Sequence, residues 1–154
     1  MKIFKFIPFL VLIFCTSLSL ESAQRSPQWE QVRKAYLKDH PTCVICGTSK
    51  DLQVHHIKPF HLYPELELDP SNLITLCTSK YWEINCHLIA GHAGNFKWEN
   101  VHVFDDAAKL HIIADPKYIR EHGSDERDEY VKEIEKRGKA ENQKVNRKSG
   151  FQNY

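Results

Sequence analysis

A small α+β domain is the fold class this sequence predicts, and three observations predict it. Two short stretches, 52–57 and 72–77, have strand character and lie one loop apart. Apolar residues at helical spacing flank them on both sides. Four cysteines, Cys43, Cys46, Cys77 and Cys86, stand at the two ends of the strand-rich stretch, as one shared tetrahedral thiolate site would require. With 154 residues, 42% hydrophobic and 27% charged, the chain has room for one domain with a modest core and no sign of general disorder.

Residues 1–23 read as a secretory signal peptide, with Lys2 and Lys5 before an apolar centre and small polar residues leading to Ala23. The alternative is an uncleaved membrane anchor, because the apolar run approaches the roughly 18 to 20 residues that span a bilayer. Thr16, Ser17, Ser19, Glu21 and Ser22 weigh toward the signal, which implies an exported protein, periplasmic or secreted. Next, Ser26-Pro27 marks a helix start, and Trp29, Val32, Tyr36 and Leu37 recur at helical spacing until Asp39-His40-Pro41. Residues 43–47 form a tight knuckle, and 52–57 form a strand that ends near Lys58-Pro59. A loop rich in proline and acid leads to the returning strand 72–77, which begins at Asn72. A short helix over 84–90 follows, closed by Gly91 or Gly94. Val101-His102-Val103-Phe104 suits either a strand or the entry to a helix through Leu110, Ile112 and Ile113. Residues 125–139 are charged and helix-prone, with Tyr130, Val131 and Ile134 as the apolar stripe, and 142–154 read as a frayed end.

Charge and cysteine content narrow the chemistry without deciding it. The formal net charge of +1 gives no global signature of a polyanion partner. Between 132 and 148, however, Lys132, Lys136, Arg137, Lys139, Lys144, Arg147 and Lys148 face only Glu133, Glu135 and Glu141, a local positive arm. A solvated helix face is the ordinary reading of such a run, and phosphate contact the alternative. Removal of the signal leaves an even set of four cysteines in an exported chain, so disulfides compete with zinc. The histidines carry more. His55 and His56 are adjacent in a strand and point to opposite faces, so one can bind a metal while the other addresses substrate. Asn72, at the start of the returning strand, has an amide able to hold the base-bearing strand in place, and His87 offers a second imidazole. Phosphodiester hydrolysis needs such a set: a metal to neutralise charge and a base of near-neutral pKa to activate water.

Cys43 and Cys46, His55-His56, the run Asn72-Leu73-Ile74-Thr75-Leu76-Cys77, and Cys86-His87 follow one another in an order that resembles the HNH endonucleases. The pattern of that family is Cys-x-x-Cys, a metal-binding Asp or His directly before the catalytic His, Asn-Leu-x-x-Leu-Cys, then Cys-His. The resemblance covers roughly a third of the chain, over residues 43–92. It implies a ββα-metal, treble-clef-like fold with flanking helices, and a nuclease domain over 24–100 before a mostly helical extension over 101–154 with a basic end. It implies His56 as general base, Asn72 as the residue that orients it, and His55 and His87 as ligands of a catalytic divalent ion such as Mg2+, Mn2+, Ni2+ or Zn2+. Cys43, Cys46, Cys77 and Cys86 then become a structural Zn2+ site, and the partner nucleic acid, with DNA ahead of RNA. Membrane association enters only if the N-terminal segment stays uncleaved.

Two departures from the pattern stand out. Eight residues, 78–85, separate Cys77 from Cys86 where the family usually has two. A further family ligand, one helical turn beyond His87, would fall on Gly91. His92 is one residue later and on an unbroken α-helix points about 100° away from that face. A break at Gly91 would let it reach, which leaves His92 an open candidate for a third ligand. The rival to catalysis is a noncatalytic zinc-stabilised module that binds nucleic acid or a partner.

Overall fold

In the computed structural model of the protein, residues 24–149 are described, with side chains to 144. Residues 1–23, on which the signal-peptide reading rests, and 150–154 lie outside the described residues. Among the described residues no helix is long and apolar enough to cross a membrane.

The first helix, α1, spans Trp29–Asp39 and starts later than Ser26-Pro27 suggests. Ser26 instead closes a turn: its carbonyl accepts the Trp29 N–H at 3.1 Å and its Oγ accepts the Gln28 N–H at 3.2 Å. The knuckle forms as expected, with the Gly47 N–H donating to the Cys43 carbonyl at 2.8 Å and the Cys43 N–H to the Thr48 carbonyl at 2.9 Å. Strands β1 (Leu52–His56) and β2 (Leu73–Cys77) pair antiparallel, Leu52 opposite Cys77 and His56 opposite Leu73. Every residue of β2 is buried. A lone hairpin is marginal in water, so this one depends on what covers it. The Val44 N–H bonds the Thr75 carbonyl at 3.0 Å, and the Tyr36 hydroxyl bonds the Leu73 carbonyl at 2.8 Å, so the knuckle and α1 are both tied to β2.

The loop between the strands contains two 3₁₀ turns, Pro64–Leu66 and Pro70–Asn72. Asn72 therefore belongs to a turn and not, as the sequence suggests, to the strand. Asp69 draws the chain into that turn by accepting the Ser71 N–H at 2.8 Å. The short helix after Cys86 is a π-helical turn, His87–Gly91, and Gly91 lies inside it without breaking it.

The remaining chain is helical: α2 (Val103–Ile113), α3 (Pro116–His122) and α4 (Asp125–Ser149). The choice at 101–104 thus falls to helix. Helix α3, which the sequence does not announce, begins where Asp115 accepts the N–H groups of Lys117 and Tyr118. Helix α4 continues past 142, where fraying was expected, because Asn142 is anchored: its Nδ2 donates to the Glu99 carbonyl at 3.0 Å and its Oδ1 accepts the Glu99 N–H at 3.1 Å. Ile45, Leu76, Val103, Leu110 and Ile134 are fully buried together, so hairpin, knuckle, α2 and α4 share one core. Helix α4 comes close enough to the π-turn that any side chain at Gly138 would collide with the Ala93 methyl. Asp106, 1% exposed, binds these parts by polar contacts: it accepts from Tyr130 Oη at 2.7 Å, Arg137 Nη2 at 2.5 Å and Asn100 Nδ2 at 2.6 Å.

Candidate functional site

Two clusters of metal-ligating side chains form on this scaffold. The first holds Cys43, Cys46, Cys77 and Cys86, with all four Sγ atoms within 4.8 Å of one another. Two thiols come from the knuckle, one from the end of β2, and one from the residue before the π-turn. The spacing suits one ion, since a tetrahedron with metal–sulfur bonds of about 2.3 Å has edges of about 3.8 Å. The eight-residue excursion 78–85 loops out without displacing Cys86. All four thiols are buried and unbridged. Their crowding splits their acidities: the Cys86 hydrogen bond lowers Cys43 to about 5, burial raises Cys46 to about 12, and Cys86 is raised by its bond to Cys43. Such a pocket favours a thiolate at Cys43 and opposes further thiolates beside it unless a cation is present.

The second cluster joins His55 of β1 to His87, which opens the π-turn, and His92, which follows it, again with ligand nitrogens within 4.8 Å. His55 Nδ1 lies 3.3 Å from His87 Nε2. His92 joins them, and not through a helix break. Over five residues an α-helix advances by about 500°, which would leave His92 about 140° from His87. The π-turn takes up one extra residue, so the fifth position stands near where the fourth would be in an α-helix. Gly91 makes the closure possible: a Cβ there would sit 3.1 Å from His87 Cδ2 and 3.2 Å from His55 Cε1 and Nδ1. The position where the family pattern offers a ligand is thus a gap that the rings fill.

The protons on these rings can be assigned from their partners. His92 Nδ1 bonds the Trp98 carbonyl at 2.9 Å and must be N–H to do so, which leaves Nε2 as the ligand atom. His55 is held down to about 3 by burial first and then by the His92, His87 and His56 imidazoles; His87 is held to about 4 by burial and His92. Neutral imidazoles are the metal-binding form. His87 Nδ1 is buried without a hydrogen-bond partner.

His56 points to the other face of β1. Its ring stacks on Trp29 of α1 at 4.5 Å, and its Nε2 lies 2.9 Å from the Glu67 carbonyl. That bond requires Nε2–H, so Nδ1 carries the lone pair. The His56 pKa is lowered, by burial first, with the Glu67 carbonyl acting against it and Arg25 with it. The Asn72 side chain makes its hydrogen bonds elsewhere than to His56. Its Oδ1 accepts the Lys58 N–H at 2.8 Å, and its Nδ2 donates to the Lys58 and Leu66 carbonyls at 3.1 and 3.3 Å, which fixes the chain on either side of the loop bearing Glu67.

His55, His56 and His92 all line one open cleft of about 460 Å³. Residues 43–92 match the family model described as HNH endonuclease. The matched segment is similar to the HNH endonucleases. It makes up about a third of the chain, and it points to a nuclease or nucleic-acid-interacting function. No curated protein and no solved structure matches the chain.

Other residues that build the site carry no motif in the sequence. Glu67 presents its carbonyl to His56, and its buried carboxylate accepts the Ser26 N–H at 2.9 Å with Arg25 at 3.6 Å. The Arg25 guanidinium stacks over Trp29 at 4.7 Å and Phe60 at 4.9 Å on the cleft wall. Asn100 Nδ2 bonds the Ala90 carbonyl at 2.7 Å, satisfying an acceptor at the end of the π-turn. Phe96, Trp98 and His61 are rim residues of the cleft, whereas Trp82 packs on the core beside His111. The His87-x4-His92 spacing around Gly91 is the one local trace of this arrangement in the sequence.

Proposed function

We propose that the protein is a metal-dependent endonuclease of the HNH type, hydrolysing phosphodiester bonds in DNA with little sequence specificity. The observation that carries this reading is the convergence of two unlike imidazole sets on one cleft, a three-histidine cage and a separate histidine with a free lone pair. Pure binding has no use for the second. A divalent ion held by His55, His87 and His92 would supply Lewis-acid stabilisation of charge on the phosphate and on the leaving oxygen. His56, neutral and aimed by its Nε2–H bond to the Glu67 carbonyl, takes a proton from water onto Nδ1. The water oxygen then bonds to phosphorus as the bond to the 3′ oxygen breaks, which leaves a 5′ phosphate, and the 3′ oxygen gains a proton from solvent. Asn72 acts at a distance, as a positioning residue that keeps the Glu67 loop over His56. Cys43, Cys46, Cys77 and Cys86 would hold a structural Zn2+, which would clip knuckle, hairpin and π-turn together. The N-terminal segment supports export as the setting.

The test is plasmid DNA incubated with purified protein, with and without magnesium, beside the His56→Ala variant. Cleavage is expected from the wild type and a loss of about a hundredfold or more from the variant, with folding and bound zinc retained. A folded variant at wild-type turnover would remove His56 as the base. A wild type that binds but never cuts would leave the noncatalytic module in its place.

A further inference from the structure

A second groove lies against the same loop as the cleft. It measures about 520 Å³ and is lined by Asn95 and Trp98 on one side and by Lys132, Glu135, Lys136 and Lys139 of α4 on the other. Lysines at i, i+4 and i+7 fall on one helical stripe. The stripe is about 10 Å long at 1.5 Å per residue, the axial length of about three phosphates of one DNA strand. Lys132, Lys136 and Lys139 are exposed, and none has a salt-bridge partner among the described residues. Of the nearby acids, Glu133 leans toward Arg137 at 4.0 Å, so only Glu135 offsets the three lysines within the groove.

Trp98 lines both this groove and the cleft, and Lys97 lines the cleft beside it. The Trp98 carbonyl also accepts the bond from His92, so the divide between the two grooves is anchored to the histidine cage. A polyanion leaving the cleft over Trp98 meets the lysine stripe next.

We propose that Lys132, Lys136 and Lys139 form a phosphate-binding track for nucleic acid flanking the bond to be cut, on a helix outside the HNH segment. The inference rests on the nucleic-acid reading above and adds the surface that extends it. Because the track lies beyond the cleft, it acts on long substrates and not on short ones.

The experiment measures binding to duplexes of about 8 and about 30 base pairs over a range of salt concentrations. The protein carries His56→Ala to prevent cutting, with and without Lys132→Gln, Lys136→Gln and Lys139→Gln together. The long duplex is expected to bind about tenfold or more weakly to the lysine variant. The slope of log K against log salt should fall by about 2 to 3, near 0.9 for each phosphate that a lysine no longer neutralises. Short-duplex binding, and short-duplex cleavage with His56 restored, should stay unchanged, and circular dichroism should show an intact fold. Equal affinity and slope on the long duplex, or equal weakening on both lengths, would overturn the track. Weakening confined to the long duplex, in a protein whose wild type never cuts, would uphold the track while the nuclease chemistry fails.

Discussion

The four-thiol and three-imidazole clusters share the hairpin and the π-turn, and consecutive residues, Cys86 and His87, belong one to each. They differ in closure. The thiols are 0 to 4% exposed and number four, enough to complete a tetrahedral ion with no position left over. The imidazoles are half-buried and number three, and two of them, His55 and His92, line a cleft, so an ion among them would keep positions open toward a ligand. The difference teaches that in this fold ligand count and burial, more than ligand position along the chain, separate a site suited to holding structure from one suited to chemistry.

The largest test of that contrast is on the closed side. Wild-type protein should carry about one tightly held zinc, and Cys77→Ser should leave the chain largely unfolded, because a structural zinc contributes on the order of 10 kcal/mol, comparable to a whole domain's stability. Far-UV circular dichroism with elemental analysis checks this. Two disulfides and no zinc by thiol titration would end the four-thiolate assignment.

On the open side, the loss should be of function and not of fold. His55→Ala, His87→Ala and His92→Ala are each expected to weaken binding of the catalytic ion by roughly a hundredfold, with melting temperature little changed. Excess metal should partly restore their cleavage and should not restore His56→Ala, since mass action replaces a lost ligand but not a lost base. If His92→Ala binds the ion as wild type does, the π-turn's extra residue has no part in the cage.

The smallest effect sharpens the comparison within a single methyl group. Gly91→Ala places a carbon 3.1 Å from His87 and 3.2 Å from His55, so the rings must part. Ion affinity at the histidines is expected to fall about tenfold while zinc content at the cysteines stays the same. Metal titration monitored by calorimetry separates the two. Unchanged affinity would mean that the cage relaxes at no cost.

Much of the molecule was legible in the chain alone, for a reason that lies in local chemistry. Alternation in 52–57, the strand character of 72–77, the Cys-x-x-Cys knuckle and the adjacency of His55 to His56 are short-range patterns, and residue type alone names a thiolate or an imidazole. Other features had no local signature. Glu67 orients His56 through a backbone carbonyl, a group every residue has, so nothing at position 67 announces it. His92 depends on whether five residues wind as an α-helix or a π-turn. That choice goes with the missing side chain at Gly91, the Asn100 bond to the Ala90 carbonyl, and the Asp106 contacts that hold Asn100 and, through Tyr130 and Arg137, α4. Residue order therefore determined which groups are available and on which strand they lie. Tertiary packing decided which of them meet, because winding and proton placement are set by partners distant in sequence.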